Sequence, residues 1–287
     1  MDIKALACEL PARLGLPLSR LSIADLRAEA LQQGVVATIS ATTIWRWLAE
    51  DAIRPWTHRS WVFPRDPHFG VQAGRVLDLY AREWEGKPLG RRDFVLCADE
   101  KTSIQARARA HPTTPPGPGR AMRVEHEYAR GGALAYLAAW DVHRAKLFGR
   151  CEPQTGIAPF GRLVDAVMTS APYASARRVF WVVDNGSSHR GPASVARLQA
   201  RYPHLRLVHL PRHASWLNQM EIFFSIVQRK VLRPNDFTSL AEVEHRLLAF
   251  QERYEQMARP FEWRFTRSDL ARVLARLADQ KTLHAVA

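Results

Sequence analysis

The chain is poor in several features that would commit it to a class. Only three cysteines, Cys8, Cys97 and Cys151, occur in 287 residues. They lie far apart, form no CxxC pair and are odd in number, which argues against a disulfide framework or a cysteine zinc site and suits a reducing cytoplasm. No apolar run approaches the roughly 20 residues of a membrane span. The N-terminal Met1-Asp2-Ile3-Lys4-Ala5-Leu6 lacks the basic-then-apolar layout of a signal peptide. Internal repeats are absent. Acid is scarce beside base: 28 Asp+Glu stand against 41 Lys+Arg, a formal net charge of +13. What is present, 47% hydrophobic and 24% charged residues, is ordinary globular composition with enough apolar material for a core. The charge excess points to a polyanionic partner, because Lys and Arg release counterions from a phosphate backbone whatever the fold. A basic but indifferent surface has the same composition, so the decision passes to the patterns.

Ser22-Ile23-Ala24-Asp25 carries a helix start, with Ser22 as N-cap and Asp25 in the capping-box position. Ile23, Leu26 and Ala30 follow at helical spacing, and Gly34 stops the run. A second start falls at Ser40, after which Ile44, Trp45 and Leu48 form an apolar face and Thr42, Thr43, Arg46 and Trp47 are left outside. Two short helices joined by a turn suggest a helix-turn-helix, whose second helix reads base edges in the major groove. A plain helical hairpin is the competing reading. Residues 1–18, broken by Pro11, Gly15 and Pro17, are expected to add no further module of this kind.

From Asp51 to Arg92 the sequence reads as a connector, with prolines at 55, 64, 67 and 88 and one helix from about Phe69 to Trp84. Arg54, Trp56, His58, Arg59 and Trp61 make an aromatic-basic stretch. Its arginines could track DNA, while its tryptophans are expected to pack.

Beyond residue 92 the pattern changes. Phe94–Ala98 is a short buried strand ending in Asp99, and Arg178–Val183 is another ending in Asp184. Leu134–Trp140 and Ala145–Cys151 read as two strands joined by a tight turn, and Leu205–Leu210 as a further short strand. Helices are expected over Pro159–Thr169, Pro192–Tyr202, Trp216–Leu232, Leu240–Met257 and Arg267–Asp279. Such alternation after an initial strand meander means an α/β domain with a mixed sheet.

Asp99 and Asp184 leave buried strands at the sheet edge where α/β proteins bind ligands. Glu221 lies about one turn into a helix with Met220, Phe223 and Phe224. Three converging carboxylates would suit hard divalent cations, and two cations roughly 4 Å apart can activate a water or hydroxyl and stabilise the leaving oxygen of a phosphodiester. Among their neighbours, Asp141 has a hairpin-turn role as its first reading and a ligand role as its second. Glu100 is expected to turn away from Asp99 and pair with an arginine. His189 has two readings, a contact to phosphate or ligand carboxylate and a cap on the following helix. The Ser187-Ser188-His189 run lacks the Gly-x-Ser-x-Gly elbow of a nucleophilic serine.

Cys97-Ala98-Asp99-Glu100-Lys101-Thr102, Val182-Val183-Asp184-Asn185-Gly186-Ser187-Ser188-His189 and His213-Ala214-Ser215-Trp216-Leu217-Asn218-Gln219-Met220-Glu221 resemble the three signature blocks of the DDE transposases. The likeness is to bacterial insertion-sequence enzymes related to the mariner superfamily, and it extends over most of the chain. It implies an α/β fold with a ribonuclease-H-like mixed sheet flanked by helices, preceded by a small all-α helix-turn-helix module. The expected domains are a DNA-binding module over 1–62, a linker with one helix over 63–91 and a catalytic domain with C-terminal helices over 92–287.

The resemblance further implies that Asp99, Asp184 and Glu221 are catalytic and hold two Mg²⁺ or Mn²⁺ ions, with Glu221 completing the second site. Thr42, Thr43, Arg46, Arg54, Arg59, Lys101, Arg107, His189, His213 and Asn218 are the expected DNA contacts, and Arg109 is a further basic residue of the same stretch. The partners implied are double-stranded DNA, as element inverted repeats and as target with a TA preference, and a second copy of the chain on DNA; no membrane is involved. Family members commonly carry a further helix-turn-helix upstream, so this copy is expected to be truncated or to belong to a subgroup without that module. Two rival functions stand beside transposition: a copy acting only as a DNA-binding repressor, and a ribonuclease-H-like nuclease or resolvase. The positive excess is expected around the three acids and along Arg46 to Arg65.

Overall fold

A computed structural model describes residues 2–58, 64 and 66–285. It divides the chain into two compact units, Met1–Val62 and Phe63–Ala287.

The first unit is helical. Helix α1 (Ile3–Ala7) and a 3-10 turn (Pro11–Leu14) precede α2 (Ile23–Gln32) and α3 (Ala41–Glu50). Ser22 and Asp25 form the expected capping box: the Asp25 N–H donates to Ser22 Oγ at 3.1 Å and the Ser22 N–H to Asp25 Oδ2 at 2.8 Å. Ser40 Oγ accepts from the Thr43 N–H in the same way at the start of α3. Ile3, Leu6, Leu26, Ala30, Ile44 and Leu48 close one small core, so α1 is built into the same unit as the helix pair. Trp45, expected on the buried face, is instead 55% exposed, because Ile44 and Leu48 alone define the stripe that α3 turns inward.

In the second unit α4 (Phe69–Tyr80) leads into a small hairpin of β1 (Glu83–Trp84) and β2 (Lys87–Pro88). The helix expected in the 63–91 connector is thus present, and its Phe69, Val76, Leu77 and Leu79 are built into the main core. Tyr80 Oη donates to the Leu217 carbonyl at 2.6 Å, and Trp84 packs on Phe180. Apolar side chains on one face of a short helix give it no stability alone, and this sheet face supplies the cover.

The sheet contains β3 (Asp93–Ala108), β4 (Ala129–Asp141), β5 (Leu147–Glu152), β6 (Arg178–Val183) and β7 (Leu205–His209) in the order β5-β4-β3-β6-β7. The first three are antiparallel neighbours, while β6 runs parallel to β3 and β7 parallel to β6. This is the expected mixed ribonuclease-H-like sheet. Alternation along β3 sends Val95 and Cys97 to one face and Leu96 and Ala98 to the other. The second face is covered by α5 (Ile157–Met168) and α6 (Pro192–Arg201), through Phe160, Leu163, Val164 and Leu198. On the first lie α4, α7 (Met220–Lys230), α8 (Leu240–Glu255) and α9 (Arg267–Ala285), with Phe223, Phe224, Val243, Leu247 and Leu270 in the core.

Three elements differ from expectation: α4 stops at Tyr80, short of Trp84, which pairs in β1 instead. β3 runs on past Asp99 to Ala108, because β4 keeps pairing with it after β6 has ended. The helix expected from Trp216, α7, starts at Met220: Asn218 is extended, and its Oδ1 accepts the Met220 N–H at 3.1 Å, a local cap. Asp141 has the hairpin-turn role. Its Oδ1 accepts the His143 and Arg144 N–H groups and its Oδ2 the Tyr173 hydroxyl. No helix among the described residues is long and apolar enough to cross a membrane.

Candidate active site

The parallel pairing of β3 with β6 ends at Cys97 opposite Val182. Asp99 and Asp184 are each two residues further on, so the two acids stand level, just past the end of the parallel pairing. Cys97 belongs to the core layer that contains Met220 and Phe223 of α7, and Asp99 shares its face of β3. Glu221 occupies the first turn of α7, where the unpaired N–H groups of a helix favour an anion.

Asn218 ties the strand to that helix. Its Nδ2 donates to the Ala98 carbonyl at 3.0 Å and to Asp99 Oδ2 at 3.3 Å. The Glu100 N–H donates to the other Asp99 oxygen at 2.8 Å. Burial pushes the Asp99 carboxyl up to about 7, against that N–H bond, and the charges of Glu221, Asp184 and Glu100 raise it further. Neither Asp99 nor Glu221 has an ion-pair partner among the described residues.

Asp184 is built differently. His189 Nε2 donates to its Oδ1 at 2.6 Å and the Gly186 N–H donates to the same oxygen at 2.8 Å. The His189 bond leads in holding the Asp184 carboxyl below its ordinary range, with burial opposing and Gly186 adding to the effect. Behind the imidazole, Nδ1 lies 2.9 Å from Ser188 Oγ, which donates to Glu100 Oε1 at 3.2 Å. A chain of four side chains therefore joins β3 to the loop after β6. Phe160 of α5 packs on the His189 ring at 4.8 Å between centroids.

The donors suit a hard divalent cation, since oxygen ligands of concentrated negative charge are what such an ion selects. As the side chains lie, no group of three or more His, Cys, Asp or Glu among the described residues is gathered as a cage. One Asp184 oxygen is already engaged by His189 and Gly186, and the like charges of Asp99 and Glu221 oppose closer approach.

The remaining expected residues divide by environment. His189 and Asn218 are buried at 3% and 1% exposure and spend polar atoms on Asp184, Ser188, Ala98 and Asp99, the His189 contact being the carboxylate one of its two readings. Glu100 bonds Ser188 rather than an arginine, because strand alternation turns it toward the loop after β6. Arg109 is spent on the carbonyls of Glu125, His126, Glu127 and Asn235, which leaves it pinning two loops. His213 is exposed with φ of 59°. Lys101 and Arg107 line a pocket further along β3. In the helical unit Thr42, Arg46 and Arg54 are exposed, while Thr43 is half-buried and bonded to Ser40. Arg59 lies outside the described residues, as does Arg65.

Ser188, Gly186 and Tyr80 were not legible as site residues. A serine beside a histidine gives no periodic signal, and a tyrosine of a connector helix gives no hint that it reaches the third block.

Residues 94–244, more than half of the chain, match the family model described as DDE superfamily endonuclease. No curated protein matches in sequence. Among solved structures, the mariner Mos1 paired-end complex with Mg is similar at 15% identity, covering 91% of this chain and 80% of that one with a TM-score of 0.51. A pre-cleavage Mos1 transpososome is similar at 14% identity over 91% and 80% of the two chains, TM-score 0.49. The catalytic domain of Mos1 mariner transposase matches at 14% identity over 76% of this chain and 98% of that one, TM-score 0.46.

Proposed function

The chain belongs to the DDE superfamily endonuclease family, and from that membership we propose that it is a DNA transposase with Asp99, Asp184 and Glu221 as its catalytic carboxylates. The observation that carries the proposal is Asp99: a half-buried carboxylate without a cation, level with Asp184 and tied through Asn218 to the helix of Glu221. Burying such a group costs several kcal/mol unless a cation joins it.

Asp99 and Asp184 would be the principal ligands of Mg²⁺ or Mn²⁺, with Glu221 completing a second site. The paired-end complexes of Mos1 crystallised with Mn and with Mg are in keeping with this choice. Bound there, two such ions would supply Lewis acidity at both the attacking and the leaving oxygen of a phosphodiester. The protein's own part is to position and to charge. Asn218 fixes Asp99 against the end of β3, and His189 holds Asp184 ionised and in one rotamer. Glu221 would also help to position the attacking water, or the freed 3′-hydroxyl in strand transfer, by accepting a hydrogen bond from it. DNA is the substrate and partner, with α3 and its Thr42 and Arg46 reading the element ends, and two copies of the chain pairing two ends. The domain roles follow: end recognition in residues 1–62 and chemistry in 92–287, with α4 of the intervening stretch bracing the catalytic sheet.

Incubation with Mg²⁺ and a labelled duplex carrying the inverted repeats that flank its gene tests the reading, with Asp184→Ala alongside. A metal-dependent cut at the repeat ends, lost in the variant, is the expected result. Binding without cleavage would assign a repressor, and cleavage of branched DNA regardless of repeats a resolvase. If Asp184→Ala cuts as well as the parent, the carboxylate assignment is wrong.

A further inference from the structure

Beyond Asp99, the pairing of β3 with β4 shifts register between Lys101 and Ile104, and Ser103 takes a φ of 57°. This bulge opens one wall of a cavity of about 320 Å³ whose other wall is the end of α7 and the turn after it. Lys101, Ser103, Arg107, Gln228, Arg233 and Asn235 are among its lining, and no carboxylate is. Three cations thus face one small space. No side chain of the three has an ion pair or a hydrogen bond among the described residues, whereas Arg109 two positions on gives both of its terminal nitrogens to backbone carbonyls. Arg107 is held by stacking, its guanidinium carbon 4.6 Å above the Tyr128 ring, and its Nε is buried with no acceptor. A buried guanidinium N–H without a partner costs free energy that an entering anion would recover.

The place of the cavity matters as much as its charge. Lys101 shares a face of β3 with Asp99, two residues or roughly 7 Å away. Gln228 shares a face of α7 with Glu221, two helical turns or roughly 10 Å away. Both elements that position the acids therefore lead to the same pocket. Its offset is about two to three nucleotide rises of ~3.4 Å.

We propose that this pocket is a phosphodiester subsite, in which Lys101, Arg107 and Arg233 hold the DNA strand two to three nucleotides from the phosphate presented to Asp99, Asp184 and Glu221. The inference rests on the transposase reading for the identity of the strand, and on the pocket alone for its preference for phosphate. Held there, the strand is fixed on one side of the reacting phosphate, so that three carboxylates which repel DNA meet it in one orientation.

The test is the salt dependence of binding of the full chain to a duplex carrying the flanking repeats, for the parent, Arg233→Gln, Arg107→Gln and two charge-matched single controls, Arg201→Gln and Arg264→Gln. Each pocket variant is expected to lower the slope of log K against log salt by about 1, as loss of one phosphate contact does. Each control is expected to leave it near the parent value. Arg233 is exposed, so its variant carries the test if loss of the Arg107 stack disturbs folding. Slopes equal to the controls in both variants overturn the proposal. So does saturable binding of inorganic phosphate at the pocket without any change in the DNA slope, which would assign a free-anion site. Cleavage assays on the same preparations separate the two claims. Asp184-dependent cutting with unchanged slopes sinks the pocket and spares the transposase, while lowered slopes without any cutting do the reverse.

Discussion

His189 Nε2 lies 2.6 Å from Asp184 Oδ1, and between them in the chain Gly186 donates its N–H to the same oxygen. The histidine is 3% exposed and packed against Phe160, so the carboxylate is aimed by a group that is itself fixed by the core. Supports of this kind around a ligand carboxylate set its orientation as firmly as the ligands set the ion.

Gly186 is where that arrangement is most easily disturbed. A Cβ there would stand 2.9 Å from Asp184 Oδ1 and 3.0 Å from His189 Cε1, closer than such atoms pack. Gly186→Ala is expected to push the pair apart and slow metal-dependent cleavage by roughly 10- to 100-fold. Thermal stability should change little, because the loop is at the sheet edge. His189→Ala should lose at least as much activity. An unchanged cleavage rate in both variants would show that the contact does not aim Asp184.

Asp99 predicts a conflict between stability and function. Its carboxyl is raised to about 7 in the folded chain, chiefly by burial, against about 3.9 when unfolded. The native state therefore holds the proton more tightly. Stability of the metal-free protein is fullest below about pH 4 as far as this group is concerned, and it falls as pH rises toward 7. Asp99→Asn removes the ionisable group and is expected to stabilise the metal-free protein by roughly 1–3 kcal/mol at pH 8, with about a third of that gain at pH 5. Added Mg²⁺ or Mn²⁺ should raise the unfolding temperature of the parent more at pH 8 than at pH 5 and leave the variant unaffected. Urea unfolding at the two pH values, with and without metal, checks both signs.

Much of this was legible in the sequence because it rests on local rules. Ser22 with Asp25, the unbroken apolar run of Val179 to Val183 and the turn at Asp141 each state their structure within a few residues. What escaped depends on neighbours distant in sequence. β3 continues past Asp99 only because β4 accompanies it, and α4 belongs to the core only because the sheet face above Phe180 needs cover. Trp45 was misjudged for the opposite reason: an aromatic residue beside a buried stripe need not join it. The acids could be picked out by their positions at strand ends, yet the environments of Asn218 and His189, buried and spent inside the protein, follow only from the packed fold.

Asn218→Ala should separate positioning from folding. The substitution leaves the Ala98 carbonyl without its side-chain donor and the Met220 N–H without its cap, for an expected loss of about 1–2 kcal/mol. Cleavage should fall further than that loss explains, by about 100-fold at a temperature where the variant is folded, since Asp99 is then free to turn. Asn218→Asp keeps the shape but puts a like charge 3.3 Å from Asp99 Oδ2, and should weaken activity at low metal more than at high metal. If Asn218→Ala cuts at the parent rate once folded, the residue serves the fold alone.

Gly149 of β5 offers a check on the sheet itself. Its Cβ would overlap Tyr136 Oη and Gln251 Oε1, two groups that are hydrogen-bonded to each other at 2.9 Å across the core between β4 and α8. The tyrosine cannot step aside, because Tyr136 is fully buried and packed against Phe223 and Phe224 of α7. Gly149→Ala is therefore expected to destabilise the catalytic unit by about 1–3 kcal/mol, the usual cost of overfilling a packed site. Tyr136 also pairs across the sheet with Lys101. Any relaxation that moves the tyrosine is felt two residues from Asp99, and the cleavage rate should drop with the stability. A variant with the parent urea midpoint would mean that the Tyr136 and Gln251 pair is not held as tightly as its contacts require.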